Sequence, residues 1–287
     1  MIAVFKHELK NYFHSFTAYV FGAFLLAIVG IGAMLYNLQA AVSNFEYVLS
    51  FGMIIFVVIV PILTMRVIAE ERKQKTDQLL YSLPISTVQV IMGKYLALLV
   101  VYLIPLLIIS IYPIIFAQYG DVYLPTSYGS LAAIFIMGAA LVALGVFISS
   151  LTDNQGLAAG IGIAAILFNY YSVSLSEYVS STSVGSIIAL ALLALIIGAI
   201  VRYLTRNETL GYGVTLVLIA AITVTSFIDP TVFEGLLPKI MRQLALFNRF
   251  NTFVSGVFEL TAIFYYISVI VFFLFLSVQS MEKRRYN

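Results

Sequence analysis

RVIAEERKQKTDQLLYSLPISTVQVIMGK, residues 66–94, is a charged island in an apolar chain. It holds five basic side chains (Arg66, Arg72, Lys73, Lys75, Lys94) and three acidic ones (Glu70, Glu71, Asp77). A soluble domain usually carries about 25% charged residues. This chain of 287 residues carries 10%, is 62% hydrophobic and has a mean hydropathy of +1.05. Too few charges remain to cover a water-facing surface, so lipid is its main solvent. With no Cys and two His, disulfides, thiolate metal sites and a His-based metal centre are excluded.

A membrane-crossing helix needs about 20 apolar residues. Outward from the island, eight stretches qualify: 17–36, 47–65, 95–118, 130–151, 156–172, 184–204, 210–228 and 257–279. The expectation is one all-α polytopic membrane domain over 1–287, with about eight spans. The alternative is six spans plus a re-entrant pair at 184–228. The first apolar run exceeds the roughly 7–15 residues of a signal-peptide core and reads as a retained span. Basic residues orient the spans. With both termini in the cytoplasm, twelve of the fifteen Lys and Arg face inward, and only Lys239, Arg242 and Arg249 face outward. The six-span alternative strands Arg202 and Arg206, which favours eight.

Two further segments suit the membrane surface. In residues 1–15, Ile2, Phe5, Leu9, Tyr12 and Phe13 share one helical face while Lys6, Glu8 and Lys10 point elsewhere, as in an interfacial helix. Within 229–256, LLPKIMRQLALF predicts an amphipathic helix on the outer surface.

The spans lack an energy source of their own. No Asp, Glu, Lys or Arg lies near the middle of any predicted span, where a proton- or sodium-coupled carrier usually keeps one. No phosphate-binding loop is present either: Gly93-Lys94 invites comparison with G-x-x-x-x-G-K, but Val88 stands where the first Gly belongs. Nothing in the spans offers catalytic chemistry or a nucleic-acid surface, so the chain reads as neither enzyme nor nucleic-acid binder. If it transports uphill, the island must receive the energy. Its pattern predicts a helix over 66–82, a corner at Pro84, where the ring removes a donor, and a second helix leading through Gly93-Lys94 into the third span.

Residues 64–99 resemble the signature of ABC type-2 permeases, the membrane subunits of one class of ABC exporter. The likeness runs through Met65-Arg66, Ala69-Glu70-Glu71, Lys75-Thr76, Gln78-Leu79-Leu80, Pro84 and Gly93-Lys94. Lys75 stands where the family usually has Gly, and Gln78 where it has Glu. Residues 5–32 are similar to the family's N-terminal helix and first span, and 151–162 to its turn between spans four and five. Residues 250–285 look like the C-terminal end of the gliding-motility and copper-processing branch; 184–228 matches least. The resemblance implies the type V exporter fold and a coupling helix between spans two and three. It implies a complex of two permeases, as copies or paralogues, with two ATPases, and in some assemblies an accessory membrane or extracytoplasmic subunit. ATP and magnesium would sit on the ATPase, leaving no cofactor in this chain, and the complex would lie in a prokaryotic inner membrane.

On this chain the expected ATPase contacts are Glu70, Glu71, Arg72, Lys73, Thr76, Asp77 and Gln78, with Pro84 as the corner. A purely topological loop would account for Arg72, Lys73 and Lys75 but does not require the acidic residues. Gly156 and Gly160 form a small-xxx-small pair suited to close helix approach. With Asn169 they are candidates for the permease dimer or the transport path; packing within one subunit, and an aromatic belt around Asn169, are the alternatives. A scaffold or sensor that docks a cytosolic protein without transport is the competing function, and a secondary carrier the third. The uncharged, aromatic-rich spans suit lipid-like, peptide or drug-like cargo.

Overall fold

The computed structural model describes residues 1–76, 85–205 and 207–285. Every regular element among them is helical. In chain order these are α1 (Ile2–His14), α2 (Phe16–Ala33, continued by a π-helical turn, Met34–Gln39), α3 (Glu46–Gly52), α4 (Phe56–Thr64) and α5 (Ala69–Gln74). Then come α6 (Thr87–Ile109), α7 (Tyr112–Phe116), α8 (Leu124–Leu151), α9 (Gln155–Tyr178), α10 (Ser183–Thr205) and α11 (Glu208–Ile228). The series ends with α12 (Leu236–Leu244), α13 (Leu246–Val254) and α14 (Leu260–Arg285).

Among the described residues, seven helical stretches are long and apolar enough to cross a membrane: Phe16–Gln39, Glu46–Gln74, Thr87–Phe116, Leu124–Leu151, Gln155–Tyr178, Glu208–Ile228 and Leu260–Arg284. They correspond to seven of the eight expected spans. The remaining one, 184–204, is α10, whose apolar stretch among the described residues, Ser183–Ala199, is shorter.

The chain divides into two compact units, Met1–Tyr170 with Leu246–Asn287, and Tyr171–Ala245. The first is packed around Tyr102 of α6, which is buried. Its hydroxyl donates to the Ile134 carbonyl at 2.7 Å, its face stacks on Phe135 at 5.7 Å, and Phe21 and Phe56 meet it edge-on at 6.1 and 5.8 Å. Such contacts suit membrane packing, where close van der Waals fit rather than water exclusion joins helices. Two glycines of α8 make that approach possible. A Cβ on Gly138 would overlap the Tyr102 ring, and one on Gly145 would overlap Thr64 of α4.

The second unit is built on the hairpin α10–α11. A Cβ on Gly198 would overlap the Thr215 side chain, and one on Gly211 would lie 2.5 Å from Arg202 Cβ. Asn207 caps α11 by accepting from the Thr209 and Leu210 amides at 3.0 and 3.3 Å.

Residues 229–256 include the expected amphipathic helix, but it ends at Leu244 rather than running through Phe247. They make a short 3₁₀ turn and two helices, α12 and α13, separated by extended backbone at Ala245 (ψ 105°). α12 buries no side chain, whereas α13 buries Leu246, Phe247, Phe250 and Phe253.

Candidate functional site

The island begins where the second span stops being a regular helix. Residues 65–68 form turns, so the Ile68 and Ala69 amides lose their helical acceptors. Both donate instead to the Ser149 hydroxyl of α8 at 3.1 Å, and that hydroxyl donates to the Met65 carbonyl at 3.1 Å. One serine thus uses its two acceptor positions and its one proton on the corner. Beside it, the Arg72 guanidinium donates to the Ser150 carbonyl, which also accepts from Ser280 of α14 at 2.8 Å.

Of the expected helix over 66–82, Ala69–Gln74 is helical among the described residues, and 77–82 lie outside them. α5 ends at Gln74 because Lys75 takes a left-handed conformation, φ 57° and ψ 21°. The Lys75 amide then bonds the Arg72 carbonyl at 3.1 Å and the Thr76 amide bonds the Glu71 carbonyl at 2.9 Å. This pair of bonds is the Schellman helix stop, whose left-handed position is usually Gly. The Gly-to-Lys departure in the sequence therefore falls on the one residue of α5's end where Gly has a conformational advantage. Pro84 lies outside the described residues. The following helix leads through Gly93-Lys94 into the third span, as expected: it starts at Thr87, capped by Ser86 accepting from the Gln89 amide at 3.3 Å, and runs unbroken to Ile109.

Lys94 fastens these parts together. Its side chain is 1% exposed. The ammonium lies 2.7 Å from Glu8 of α1 and 2.6 Å from Glu71 of α5, and donates to the Val67 carbonyl at 3.0 Å. All three of its N–H donors are engaged, as a buried ammonium requires. The neighbouring Gly93 seats α1 on α6, because a Cβ there would lie 3.1 Å from both Val4 Cβ and the Met1 carbonyl. Tyr12 adds a link from α1 to α4 by donating to the Leu63 carbonyl at 3.3 Å. Burial, and next the Glu8 carboxylate, push its phenol well above the usual value, so it stays a donor. Of the apolar face expected on α1, Tyr12 is buried and Phe5, Leu9 and Phe13 are half-buried, but Ile2 is exposed and Glu8 turns inward, clamping the helix to the island.

Between α1 and the island lies a cleft of about 810 Å³, with His7 and Asn11 on one wall and Glu70, Gln74 and Thr76 on the other. The expected contacts separate around it. Glu71 and Arg72 turn inward, to Lys94 and Ser150. Glu70 is half-buried and pairs with Arg66 at 3.2 Å. Lys73 is exposed; Thr76 is half-buried and donates to the Glu71 carbonyl at 3.3 Å. Asp77 and Gln78 lie outside the described residues.

On α9, Gly156 and Gly160 are exposed, and a Cβ on Gly160 would meet nothing within 4 Å. The close contact within the chain is made by Gly162, where a Cβ would lie 3.0 Å from Pro61 Cβ. Asn169 turns inward and accepts from the Leu246 amide at 2.9 Å, holding the start of α13.

Sequence reasoning named Glu8 and Lys94 without their buried pairing, and missed Ser149, Ser150 and Ser280. Two of them carried a signal. Glu8 lies one turn before buried Tyr12, at the edge of the apolar face, and Lys94 lies one turn from both Val90 and Leu98, which are buried. A charge at such a position needs a buried partner. The serines carried none.

No curated protein and no solved structure matches the chain. Residues 34–176 match the family model described as ABC-2 family transporter protein, a stretch that contains the island, Lys94, Ser149 and Ser150 but neither α1 nor the C-terminal span. That match, with the membrane-length helices, supports reading this multi-pass chain as an ABC-2-type permease, a transmembrane component of an ABC transporter.

Proposed function

We propose that this chain is the permease subunit of an ATP-driven exporter, with an ATPase docking at the cleft between α1 and the island. The observation that carries the proposal is the Lys94 cluster. It ties the island to α1 and to the third span, while Ser149 and Arg72 tie it to the fourth. A push on α5 would reach several membrane helices, which a solvated loop could not achieve. In this reading Glu70, Lys73, Thr76, Asp77 and Gln78 face the ATPase, and Glu71 and Arg72 transmit from beneath. ATP and magnesium belong to that partner; this chain hydrolyses nothing. Both termini and the island are cytoplasmic and eight spans cross a prokaryotic inner membrane. A second permease copy or paralogue packs on the open Gly156–Gly160 face of α9. The narrower likeness to the gliding-motility and copper-processing branch rests on residues 250–285, beyond the family match.

The chain has no cysteine, so a single introduced one is a unique label. K73C is expected to react with a membrane-impermeant maleimide only from the cytoplasmic side, and to cross-link to the ATPase in the assembled complex. K73E and D77R are expected to weaken assembly and lower transport-coupled ATP hydrolysis. Normal assembly with normal hydrolysis in both variants would defeat the docking proposal. Assembly with an ATPase but no flux of any cargo would favour the scaffold reading.

A further inference from the structure

We infer that α1 and the third span form a binding site for one anionic phospholipid, with an acyl chain in an apolar groove and the headgroup held by Lys6 and Lys10. The groove has a volume of about 260 Å³ and lies between Ile2 and Phe5 of α1 and Leu96, Leu99, Val100 and Leu103 of α6. The α6 residues recur at helical spacing on one stripe of a membrane-spanning stretch, so the groove opens where acyl chains are the available apolar species. Its occupant is therefore a lipid rather than a soluble ligand.

The charge follows from where Glu8 goes. In sequence, Glu8 sits between Lys6 and Lys10 and would offset them. In the structure its carboxylate is 2.7 Å from the Lys94 ammonium, turned inward with a side-chain exposure of 11%. Lys6 and Lys10 are exposed and have no ion pair among the described residues. Lys6 and Lys10 lie one and two turns beyond Ile2, at the margin of the apolar face, so the lysines continue from the residue that walls the groove. An apolar slot continued by two uncompensated ammonium groups fits a phospholipid with a net negative headgroup, and a zwitterionic one much less. The site rests on the permease reading only for which leaflet supplies the lipid.

The chain has no Trp, so F5W places a unique fluorophore in the groove, and L99W provides an independent one if F5W disturbs α1. The full chain is reconstituted in phosphatidylcholine nanodiscs containing a minor fraction of brominated phosphatidylglycerol or brominated phosphatidylcholine. Both leaflets then carry the same lipids, so the assay is independent of orientation and of any ATPase. The brominated phosphatidylglycerol is expected to quench preferentially. Basic residues near a membrane contribute about 1 kcal/mol each, or roughly fivefold, so K6Q/K10Q is expected to cut the preference about 25-fold, while K239Q leaves it unchanged. Equal quenching by the two lipids in the unmodified background overturns the proposal, as does a preference that survives K6Q/K10Q.

Discussion

Replacing Lys94 with Met should destabilise the protein mainly through what it leaves behind. Two carboxylates, Glu8 at 2.7 Å and Glu71 at 2.6 Å, now share one ammonium. Removing one partner of a buried ion pair typically costs about 3–5 kcal/mol, because the other charge is stranded. Water reaches part of this site, since the Glu71 side chain is 23% exposed and that of Glu8 11%, so the lower end, about 3 kcal/mol, applies. On the scaling of globular chains of comparable size this is a fall of roughly 6–12 °C in Tm. Neutralising the carboxylates as well should reverse part of the loss: K94M/E8Q/E71Q is expected to be at least about 1–2 kcal/mol more stable than K94M, since no charge is stranded. The assay is thermal unfolding of the purified chain in detergent, alongside trypsin cleavage after Lys73 and Lys75 as a local readout. K94M should speed that cleavage by releasing α5 from α6. A triple variant as unstable as K94M, or less stable, would refute the idea that stranded charge governs the site. Unchanged cleavage in K94M would refute the idea that Lys94 holds the island in place.

Four other variants probe the surrounding structure. K75G should stabilise the end of α5 by about 1 kcal/mol by relieving a left-handed residue, read as slower hydrogen exchange over 69–76. S149A removes the acceptor of the Ile68 and Ala69 amides and the donor to Met65, and should cost about 1–3 kcal/mol in thermal unfolding. G145A drives a methyl into Thr64 and should cost about 1–3 kcal/mol, whereas G160A, with open space around it, should leave the stability of the isolated chain unchanged. If α9 also pairs with a second copy through that face, G160A should weaken the dimer in a cross-linking assay while monomer stability holds.

Much of the fold was legible from residues alone because lipid imposes a simple rule. A chain in hydrocarbon must bond its backbone internally, so apolar runs of sufficient length become helices. That rule sets the positions of the spans, and amphipathic spacing marks α1. It does not mark where helices break. The island's helix α5 stops at Lys75 because a left-handed residue there satisfies the last carbonyls, an option that hydrophobic patterning does not record. The break at Ala245 similarly turns one expected amphipathic helix into two.

The site divides in the same way. Composition located the charged island, and the absence of any coupling group in the spans made it the place where energy would enter. The tertiary structure decided which of its charges face outward. Glu71 and Arg72 read as surface residues because charged side chains in a loop normally remain in water. Only the approach of α1, α6 and α8 supplies the buried partners that draw them inward: Lys94 for Glu71, and the Ser150 carbonyl for Arg72. Glu8 follows the same logic, and its withdrawal leaves α1 with a basic outer face. Sequence fixes a charge and the helical face that carries it. Whether that charge meets water, lipid or an opposite charge depends on elements far away in the chain, here 86 residues apart for Lys94 and Glu8.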